Sequence, residues 1–340
     1  MKSASLLLAV AITLFSLSSA NASIMYGALS NFDCINDTGS TAHGFEIELD
    51  GIKTSDVVYT FGAPYNRYGT PTITTDGTNT FVTYASTYSN GAWATGTNSG
   101  TYPATGGHSL FNGGDPNYPN VPGDHFGVSL TANPTNTVYH WLLDGGNGKL
   151  VQAGTAVQLP APIMTLVPPA NPANNLAVQA VINAPAPEGG QAFGTAIWAK
   201  VFTTVVENPG QVKLNDLVLG NAAVPPNSET EVEWQLLQSV PGRPDLAEKM
   251  DNVDVAGKNE SVTRRYEFYS YTGGYDPENH EALTDTHSAG VVGNYLGNQN
   301  VAINFAQAVP EPSSVIMSGL GLSCVVTLAY RRRNRKSDQR

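Results

Sequence analysis

Short runs of alternating apolar and polar residues recur along most of this chain, separated by clusters of Gly, Pro and Asn. Successive side chains of a strand point to opposite faces, so alternation of this kind is typical of a sheet with one buried face. Phe45–Leu49 alternates cleanly and ends at the turn residues Asp50 and Gly51. The pattern predicts an all-β protein with one or two antiparallel β-sandwich domains of the Ig-like or jelly-roll-like type.

The remaining strands are predicted from the same signal. Asp144–Gly148 predicts a hairpin loop, because its Asn and Gly residues tolerate positive φ. Asp245–Asp251 is the best helix candidate, with Asp245 as its N-cap and Glu248 three residues later. The predicted strands cover 56–61, 72–88 with a turn at 76–77, 137–143, 149–159, 192–206, 211–219, 231–237, 262–271 and 301–305.

Proline density suggests a domain boundary in the middle of the chain. Residues 160–187 contain seven prolines, and proline interrupts the hydrogen bonding of a sheet. We therefore expect one β-rich domain over 23–169 and a second over 170–308, between a segment 1–22 and a tail 309–340.

The tail combines an apolar run with a basic end. Val315–Tyr330 carries no charge, and at about 1.5 Å per helical residue it would cover about 24 Å, the short end of what spans a bilayer. A buried core helix is the alternative, but the adjoining cations favour a single C-terminal transmembrane helix with its basic end in the cytoplasm. The cations expected to stop transfer are Arg331, Arg332, Arg333, Arg335 and Lys336.

The order of Pro310-Glu311-Pro312, a short apolar helix and an Arg-rich end resembles the PEP-CTERM sorting signal of exported bacterial proteins. The resemblance covers Val309–Lys336 and implies recognition of Pro310, Glu311 and Pro312 by exosortase, a membrane-embedded protease or transpeptidase. It also implies a host that makes exopolysaccharide. The two prolines favour extended backbone just outside the membrane, which suits a processing enzyme.

The N-terminus predicts export as well. Lys2 precedes the apolar run Leu6–Leu17, and Ala20-Asn21-Ala22 has the small-x-small pattern of a cleavage site. These features are typical of a secretory signal peptide over 1–22, which implies the Sec machinery and the inner membrane as partners during export.

Charge limits the partners of the region between these ends. Seven of the chain's 17 Lys and Arg and two of its 28 Asp and Glu lie in 1–22 and 309–340, so 23–308 carries a formal net charge of −16. This charge opposes direct binding of nucleic acid or an anionic polysaccharide, and it favours neutral glycans, cationic partners or bridging divalent metals. Cys34 is the one cysteine of 23–308, so we expect a buried apolar thiol and no internal disulfide there.

Candidate metal ligands lie in Tyr275–His287, which holds four carboxylates and two imidazoles. Asp276, Glu278 and Asp285 would offer oxygen ligands to Ca²⁺, and His residues would add a mixed set for Zn²⁺. Neither a calcium-loop pattern nor a His-Glu-x-x-His pattern is present, so an ordinary polar loop remains the alternative. We expect no cofactor, with Ca²⁺ as the possible exception. Asp115–His125 is a second, weaker acidic loop.

Paired carboxylates and aromatics provide the other candidate sites. Glu46 with Glu48 and Glu231 with Glu233 would each share one strand face, which fits either a glycosidase cleft or a solvated surface. In Arg264–Tyr271, alternation places 265, 267, 269 and 271 on one face. Aromatic faces either stack on sugars or pack in a core. The candidate glycan contacts are Trp93, the best candidate for an exposed aromatic, with Tyr269 and Tyr271.

Together these features predict an exported cell-surface or extracellular-matrix protein, sorted by exosortase, with a non-enzymatic structural or binding β ectodomain. Exopolysaccharide of a biofilm matrix is a possible partner. Two alternatives stay open: a carbohydrate-active enzyme and a calcium-dependent adhesion module, both acting on exopolysaccharide.

Overall fold

The computed structural model describes residues 24–62, 67–102, 122–154, 156–157, 159–167, 176–185, 187, 189–207, 212–217, 228–241, 253–255 and 259–306. The predicted signal peptide, the predicted helix Asp245–Asp251 and the sorting tail lie outside these residues. Within them, secondary structure consists of strands and two one-turn 3₁₀ segments, and no helix is long and apolar enough to span a membrane. The all-β, antiparallel prediction is confirmed.

Seventeen strands occur in the described ranges, and the 3₁₀ segments are Thr54–Asp56 and Leu214–Leu217. The strands are β1 (Ile24–Ile35), β2 (Ala42–Asp50), β3 (Val57–Thr60), β4 (Thr72–Thr75), β5 (Asn79–Ala85), β6 (Tyr88–Ser89), β7 (Ala92–Trp93), β8 (Gly123–Leu130), β9 (Thr137–Asp144), β10 (Leu150–Gln152), β11 (Ile163–Val167), β12 (Leu176–Val181), β13 (Ile197–Glu207), β14 (Ser228–Leu237), β15 (Val253–Val255), β16 (Asn259–Tyr271) and β17 (Val292–Ala306).

The strands form four sheets. The largest has seven strands in the order β14-β13-β16-β17-β1-β8-β3, and the next has five in the order β10-β9-β2-β5-β4. A three-stranded sheet, β11-β12-β15, and the small β6-β7 pair complete the set.

One apolar core joins the seven-stranded and five-stranded sheets. Phe45 of β2 stacks on Phe126 of β8 with 4.0 Å between ring centroids, and its edge meets Trp141 of β9 at 4.9 Å. Burying a side chain of this size contributes about 1.5–3 kcal/mol relative to leaving it exposed. The alternation predicted for β2 is confirmed, because Phe45, Ile47 and Leu49 are buried while Glu46 and Glu48 are partly exposed.

The seven-stranded sheet draws on both halves of the chain. β1, β3 and β8 precede the predicted boundary near residue 170, and β13, β14, β16 and β17 follow it. The two groups meet where β17 lies beside β1, which makes the first and last described strands neighbours in the middle of the sheet. Met25–Phe305 forms one compact unit, so the predicted division into 23–169 and 170–308 does not coincide with a division of the sheets.

The structure corrects two local predictions. Residues 160–187 are not only a linker, because β11 and β12 lie within them and pair from Ile163 with Val181 to Val167 with Ala177. The predicted strand 211–219 instead contains a 3₁₀ turn in its described part, where the Lys213 backbone N–H donates to Asp216 Oδ2 at 2.8 Å. The predicted hairpin is confirmed, since β9 pairs with β10 around Asn147 and two glycines at positive φ.

Candidate functional site

Polar side chains cross the outer face of the seven-stranded sheet, the face turned away from the five-stranded sheet. Strand register places Asp33 opposite His125, Glu267 opposite Asn298, and Lys200 opposite Glu267. Their neighbours Phe32, Phe126, Phe268 and Ala199 belong to the shared core, so alternation directs these polar residues outward. We call Lys200, Glu267, Asn298, Asp33 and His125 the polar row.

The centre of the polar row holds a buried carboxylate with both oxygens engaged. His125 Nδ1 lies 2.7 Å from Asp33 Oδ1, and Asn298 Nδ2 donates to Asp33 Oδ2 at 2.6 Å. Asn298 also donates to the hydroxyl of Tyr295 at 2.8 Å. Asp33, His125 and Asn298 are 1–2% exposed. Because an unpaired buried polar group costs about 1–3 kcal/mol, these bonds fix β8, β1 and β17 in one register.

A second buried carboxylate lies on β16. Glu267 is 1% exposed, its Oε1 lies 2.7 Å from an Arg265 terminal nitrogen, and its Oε2 accepts from the Tyr269 hydroxyl at 2.8 Å. The sequence placed these three residues on one strand face, and the structure confirms that placement. Burial raises the pKa of the Tyr269 phenol, and the adjacent Glu267 charge raises it further. The phenol therefore remains a donor to the carboxylate.

Asp124 lies beside the polar row on β8. Its Oδ2 pairs with Arg67 Nε at 2.5 Å and accepts from Thr97 Oγ1 at 3.4 Å, while its Oδ1 accepts from the His125 backbone N–H. Burial raises the pKa of the Asp124 carboxyl above its ordinary value of 3.8, although the Arg67 charge opposes the rise. Arg67 also donates to the Gly123 carbonyl at 3.1 Å, so this ion pair anchors the start of β8.

The Asp33–His125 pair has the chemistry of a general base held by a carboxylate, and it lies buried in the sheet. Both side chains are almost fully buried, and the ring of Phe61 lies 5.2 Å from the His125 ring. A general base must reach the proton that it removes. The geometry therefore supports a role in joining strands. Cys34 is buried as predicted, and burial raises the pKa of its thiol well above the ordinary value.

An aromatic cluster flanks the polar row and changes the interpretation of the candidate glycan contacts. Tyr269 is fully buried and packs against Trp234 and Tyr295, and Tyr271 is 8% exposed with its hydroxyl on the Gly274 carbonyl. Neither ring is placed to stack on a sugar, because other aromatic residues already cover both. This is a correction for Tyr269 and Tyr271, and the core-packing alternative describes them.

Trp93 is half-buried on the short strand β7, where it stacks on His43 with 5.2 Å between centroids and meets the edge of Tyr88 at 4.9 Å. It is therefore less exposed than its glycine-rich surroundings indicated. Its contact with a glycan stays a prediction.

The Tyr275–His287 segment forms an ordered loop over the aromatic cluster. Asp276 Oδ1 accepts from the backbone N–H groups of Glu278 and Asn279 at 2.8 and 3.2 Å, so this carboxylate closes a turn. Gln238 fastens the loop by accepting from the Ala282 N–H and donating to the His280 carbonyl. Glu278 and Asp285 are exposed. In the described part of the chain, no three acidic, His or Cys side chains are grouped to hold a metal ion.

The paired strand carboxylates Glu46, Glu48 and Glu233 accept hydrogen bonds from neighbouring side chains of the same protein. Glu46 accepts from Thr83 Oγ1 at 2.9 Å and from Gln152 at 2.8 Å, and Glu48 accepts from Asn79 at 3.0 Å. Glu233 accepts from Gln235 on its own strand at 2.9 Å.

No local pattern in the sequence marks the polar row as a unit. Its members come from five strands that are far apart in the chain. Taken singly, each of these polar residues would be predicted to face solvent. The alternation of Phe32 and Cys34 with Asp33 was the one sign that β1 continues through this polar segment.

Comparison with known proteins concerns the tail, which lies outside the described residues together with its predicted transmembrane helix. Residues 308–333 match the family model of the PEP-CTERM protein-sorting motif. No curated protein and no solved structure gave a significant match to the chain. The motif implies exosortase as a processing partner and an exported, surface-directed protein. The resemblance of Pro310-Glu311-Pro312 and the residues after it is thus confirmed, and the chain carries a PEP-CTERM protein-sorting motif at its C-terminal end.

Proposed function

We propose that this protein is a non-enzymatic structural or binding component of the cell surface or extracellular matrix, with a sandwich of two β-sheets as its body. The matched sorting motif is the observation that carries the proposal. It begins at residue 308, two residues after the last strand of the body, β17, ends at Ala306. In the proposed route, Sec exports the precursor, the apolar tail holds it in the inner membrane, and exosortase then processes it.

The chemistry of the body supports a non-enzymatic role. Asp33, Asp124 and Glu267 are nearly fully buried, and each is bonded to cationic or polar side chains of the same protein. Active-site carboxylates instead face a cleft where a substrate can reach them. The formal charge of −16 over 23–308 favours uncharged stretches of exopolysaccharide over anionic ones as a ligand.

Alanine substitution of Pro310, Glu311 and Pro312 tests the sorting step. Export should remain intact, but the protein should accumulate in the inner membrane with its tail uncleaved. The matched control replaces Ser313 and Ser314 with Ala, which should leave sorting unchanged. Membrane fractionation and the mass of the mature chain provide the readout. If the Pro310–Pro312 variant reaches the surface in mature form, the proposed route is wrong.

Incubation with the producing cells' exopolysaccharide tests the role of the body. The surface-extracted protein should sediment with the polymer and leave its size distribution unchanged. Shortening of the polymer would identify a carbohydrate-active enzyme instead. Binding that disappears with a chelator and returns with Ca²⁺ would identify a calcium-dependent adhesion module.

A further inference from the structure

The two larger sheets differ in what lies over their outer faces. On the seven-stranded sheet, Asp33, Glu267 and Asn298 are 1–2% exposed, and the loop Tyr275–His287 folds over the adjacent aromatic cluster. On β2, β5 and β9 of the five-stranded sheet, most side chains that point away from the core are partly exposed. The outer face of the five-stranded sheet is therefore accessible in the described part of the chain.

Strand register brings polar side chains together on this accessible face. His140 of β9 lies opposite Glu46 of β2, and Glu46 lies opposite Thr83 of β5. Their strand neighbour Phe45 is buried in the core, so alternation directs these residues outward. A second row, two residues along the strands, repeats the arrangement. We call the following residues the open face: Glu46, Glu48, Phe81, Thr83, Val138, His140 and Gln152.

The carboxylates of the open face receive neutral donors. Glu46 Oε2 accepts from the Thr83 hydroxyl at 2.9 Å, and Glu46 Oε1 accepts from the Gln152 amide at 2.8 Å. Glu48 accepts from the Asn79 amide at 3.0 Å. A carboxylate oxygen has about two acceptor sites, so these bonds fix the carboxylates in position and leave acceptor capacity on each. Hydroxyl groups of a ligand would be further neutral donors of the same kind.

His140 adds an imidazole that the fold does not use. Its Nδ1 is shielded from solvent and has no hydrogen-bond partner in the described part of the chain, although the side chain as a whole is partly exposed. A shielded polar atom without a partner is unfavourable. A half turn of the ring exchanges its two edges, so the ring can present a nitrogen to a ligand that lies on the open face.

An exposed aromatic ring stands at one end of the open face. Tyr88 of β6 is 37% exposed and pairs with Trp93 of β7, which stacks on His43 where β2 begins. Asn90 and Gly91 between them have φ of 52° and 81°, as in a type I′ hairpin turn. The hairpin therefore holds Tyr88 in a fixed place, and a tyrosine ring can stack on the apolar face of a sugar while its hydroxyl forms hydrogen bonds.

We propose that the open face is the binding site for a chain of neutral polysaccharide. The open face contains two carboxylates and no Lys or Arg, and the body carries a charge of −16, so an anionic polymer or an acidic protein is repelled. The core of a protein–protein interface is apolar and aromatic. Among the described residues, none of the large apolar side chains that are exposed lies on β2, β5 or β9. A neutral ligand rich in hydroxyl groups fits both conditions.

This inference rests on the proposed binding role and adds its site, so the experiment compares variants of the whole surface-extracted protein. Anion exchange divides the producing cells' exopolysaccharide into a neutral and an acidic fraction, and co-sedimentation in the presence of a chelator measures binding to each. The wild type should bind the neutral fraction equally at low and high salt. Glu46→Ala should weaken this binding at least about tenfold, because hydrogen bonds to a charged group are lost. Glu278→Ala, the same change on an exposed loop, is the matched control.

Two further variants act independently of Glu46. His140→Ala removes a ring whose Nδ1 has no partner to lose, and Tyr88→Ala removes the exposed ring at the end of the open face. Both should weaken binding of the neutral fraction. His140→Ala should do so with the melting temperature of the wild type, which separates a loss of binding from a loss of folding.

The outcomes separate the site from the proposed function. Wild-type binding that Glu46→Ala and His140→Ala both leave unchanged would overturn the site and leave the proposed binding role standing. Preference for the acidic fraction would overturn the neutral ligand. Binding of poly-lysine that salt abolishes, without binding of the neutral fraction, would assign the open face to a cationic partner instead. Failure of the wild type to bind either fraction would contradict the proposed binding role as well as the site.

Discussion

The two faces of the seven-stranded sheet are held by different interactions: apolar packing on the inner face, and hydrogen bonds and ion pairs on the outer face. The inner face buries Phe126, Tyr266 and Phe268 against the five-stranded sheet, where apolar burial stabilises the protein without strict directionality. The outer face buries Asp33 and Glu267, which are tolerated only because directional partners surround them. The comparison suggests that the inner face provides most of the stability and the outer face fixes which strands are neighbours.

The largest expected effect belongs to the inner face. Phe126→Ala should lower the free energy of unfolding by about 3–5 kcal/mol, because it removes a buried ring that stacks on Phe45 and leaves a cavity. Urea denaturation followed by tryptophan fluorescence measures this change. Leu283→Ala is the control: Leu283 is 66% exposed, so its loss should cost less than about 0.5 kcal/mol. Equal costs at the two positions would invalidate the packing described for this face.

Alkaline pH should weaken both faces together. Burial raises the pKa of Tyr266 on the inner face to about 12 and that of Tyr295 on the outer face well above its ordinary value. Since an unfolded tyrosine ionises near pH 10, stability present below pH 10 should be lost as the pH rises toward the folded-state values. Each such phenol contributes a slope of about 1.4 kcal/mol per pH unit.

The fall in the free energy of unfolding with pH is measured by urea denaturation at several pH values from about 9 to about 12. This range begins below the pKa of about 10 of a free tyrosine. Tyr266→Phe should reduce this slope by the contribution of one phenol, about 1.4 kcal/mol per pH unit. A slope that is unchanged in this variant would show that Tyr266 ionises equally in the folded and unfolded protein.

A single outer-face hydroxyl should have a smaller effect. Tyr269→Phe removes the donor to Glu267 Oε2 while leaving the ring, so the free energy of unfolding should fall by about 1–2 kcal/mol. Thermal and urea denaturation measure the change, and Tyr88→Phe on an exposed ring is the matched control. A neutral result for Tyr269→Phe would mean that Glu267 does not depend on this hydrogen bond.

The exposed carboxylates should contribute least. Glu278→Gln should change the free energy of unfolding by less than about 0.5 kcal/mol, since the side chain lies on the surface of the loop. Added Ca²⁺ or a chelator should leave the melting temperature of the wild-type protein unchanged. A chelator-dependent fall that Glu278→Gln abolishes would instead establish a metal site in this loop.

The inner face could be predicted from the sequence and the outer face mostly could not. β2 and the β9–β10 hairpin follow from local alternation and turn residues, which act over a few positions. β1 was not predicted, because the polar residues Ser30, Asn31 and Asp33 break up its apolar run. The bond from Asn298 to Asp33 spans 265 positions, and only the pairing of the first and last strands brings the two together.

The same reasoning explains the misplaced aromatic site. Alternation placed Tyr269 and Tyr271 correctly on one strand face, but it cannot show that the loop after β16 folds back over that face. Tyr275 packs its edge on Tyr271 at 5.2 Å between centroids, and Gln238 holds the loop in position. A strand face that is predicted as a surface is thereby buried.

A double-mutant cycle between Asp33 and Asn298 tests the difference between the faces most directly. Asp33→Ala, Asn298→Ala and the double variant are compared with the wild type by urea denaturation, with Asp37→Ala, an exposed position, as the control. If the outer face joins the first strand to the last, the coupling energy should be at least about 1 kcal/mol. A coupling below about 0.3 kcal/mol would mean that the two changes are independent and that the polar row does not hold the strands together.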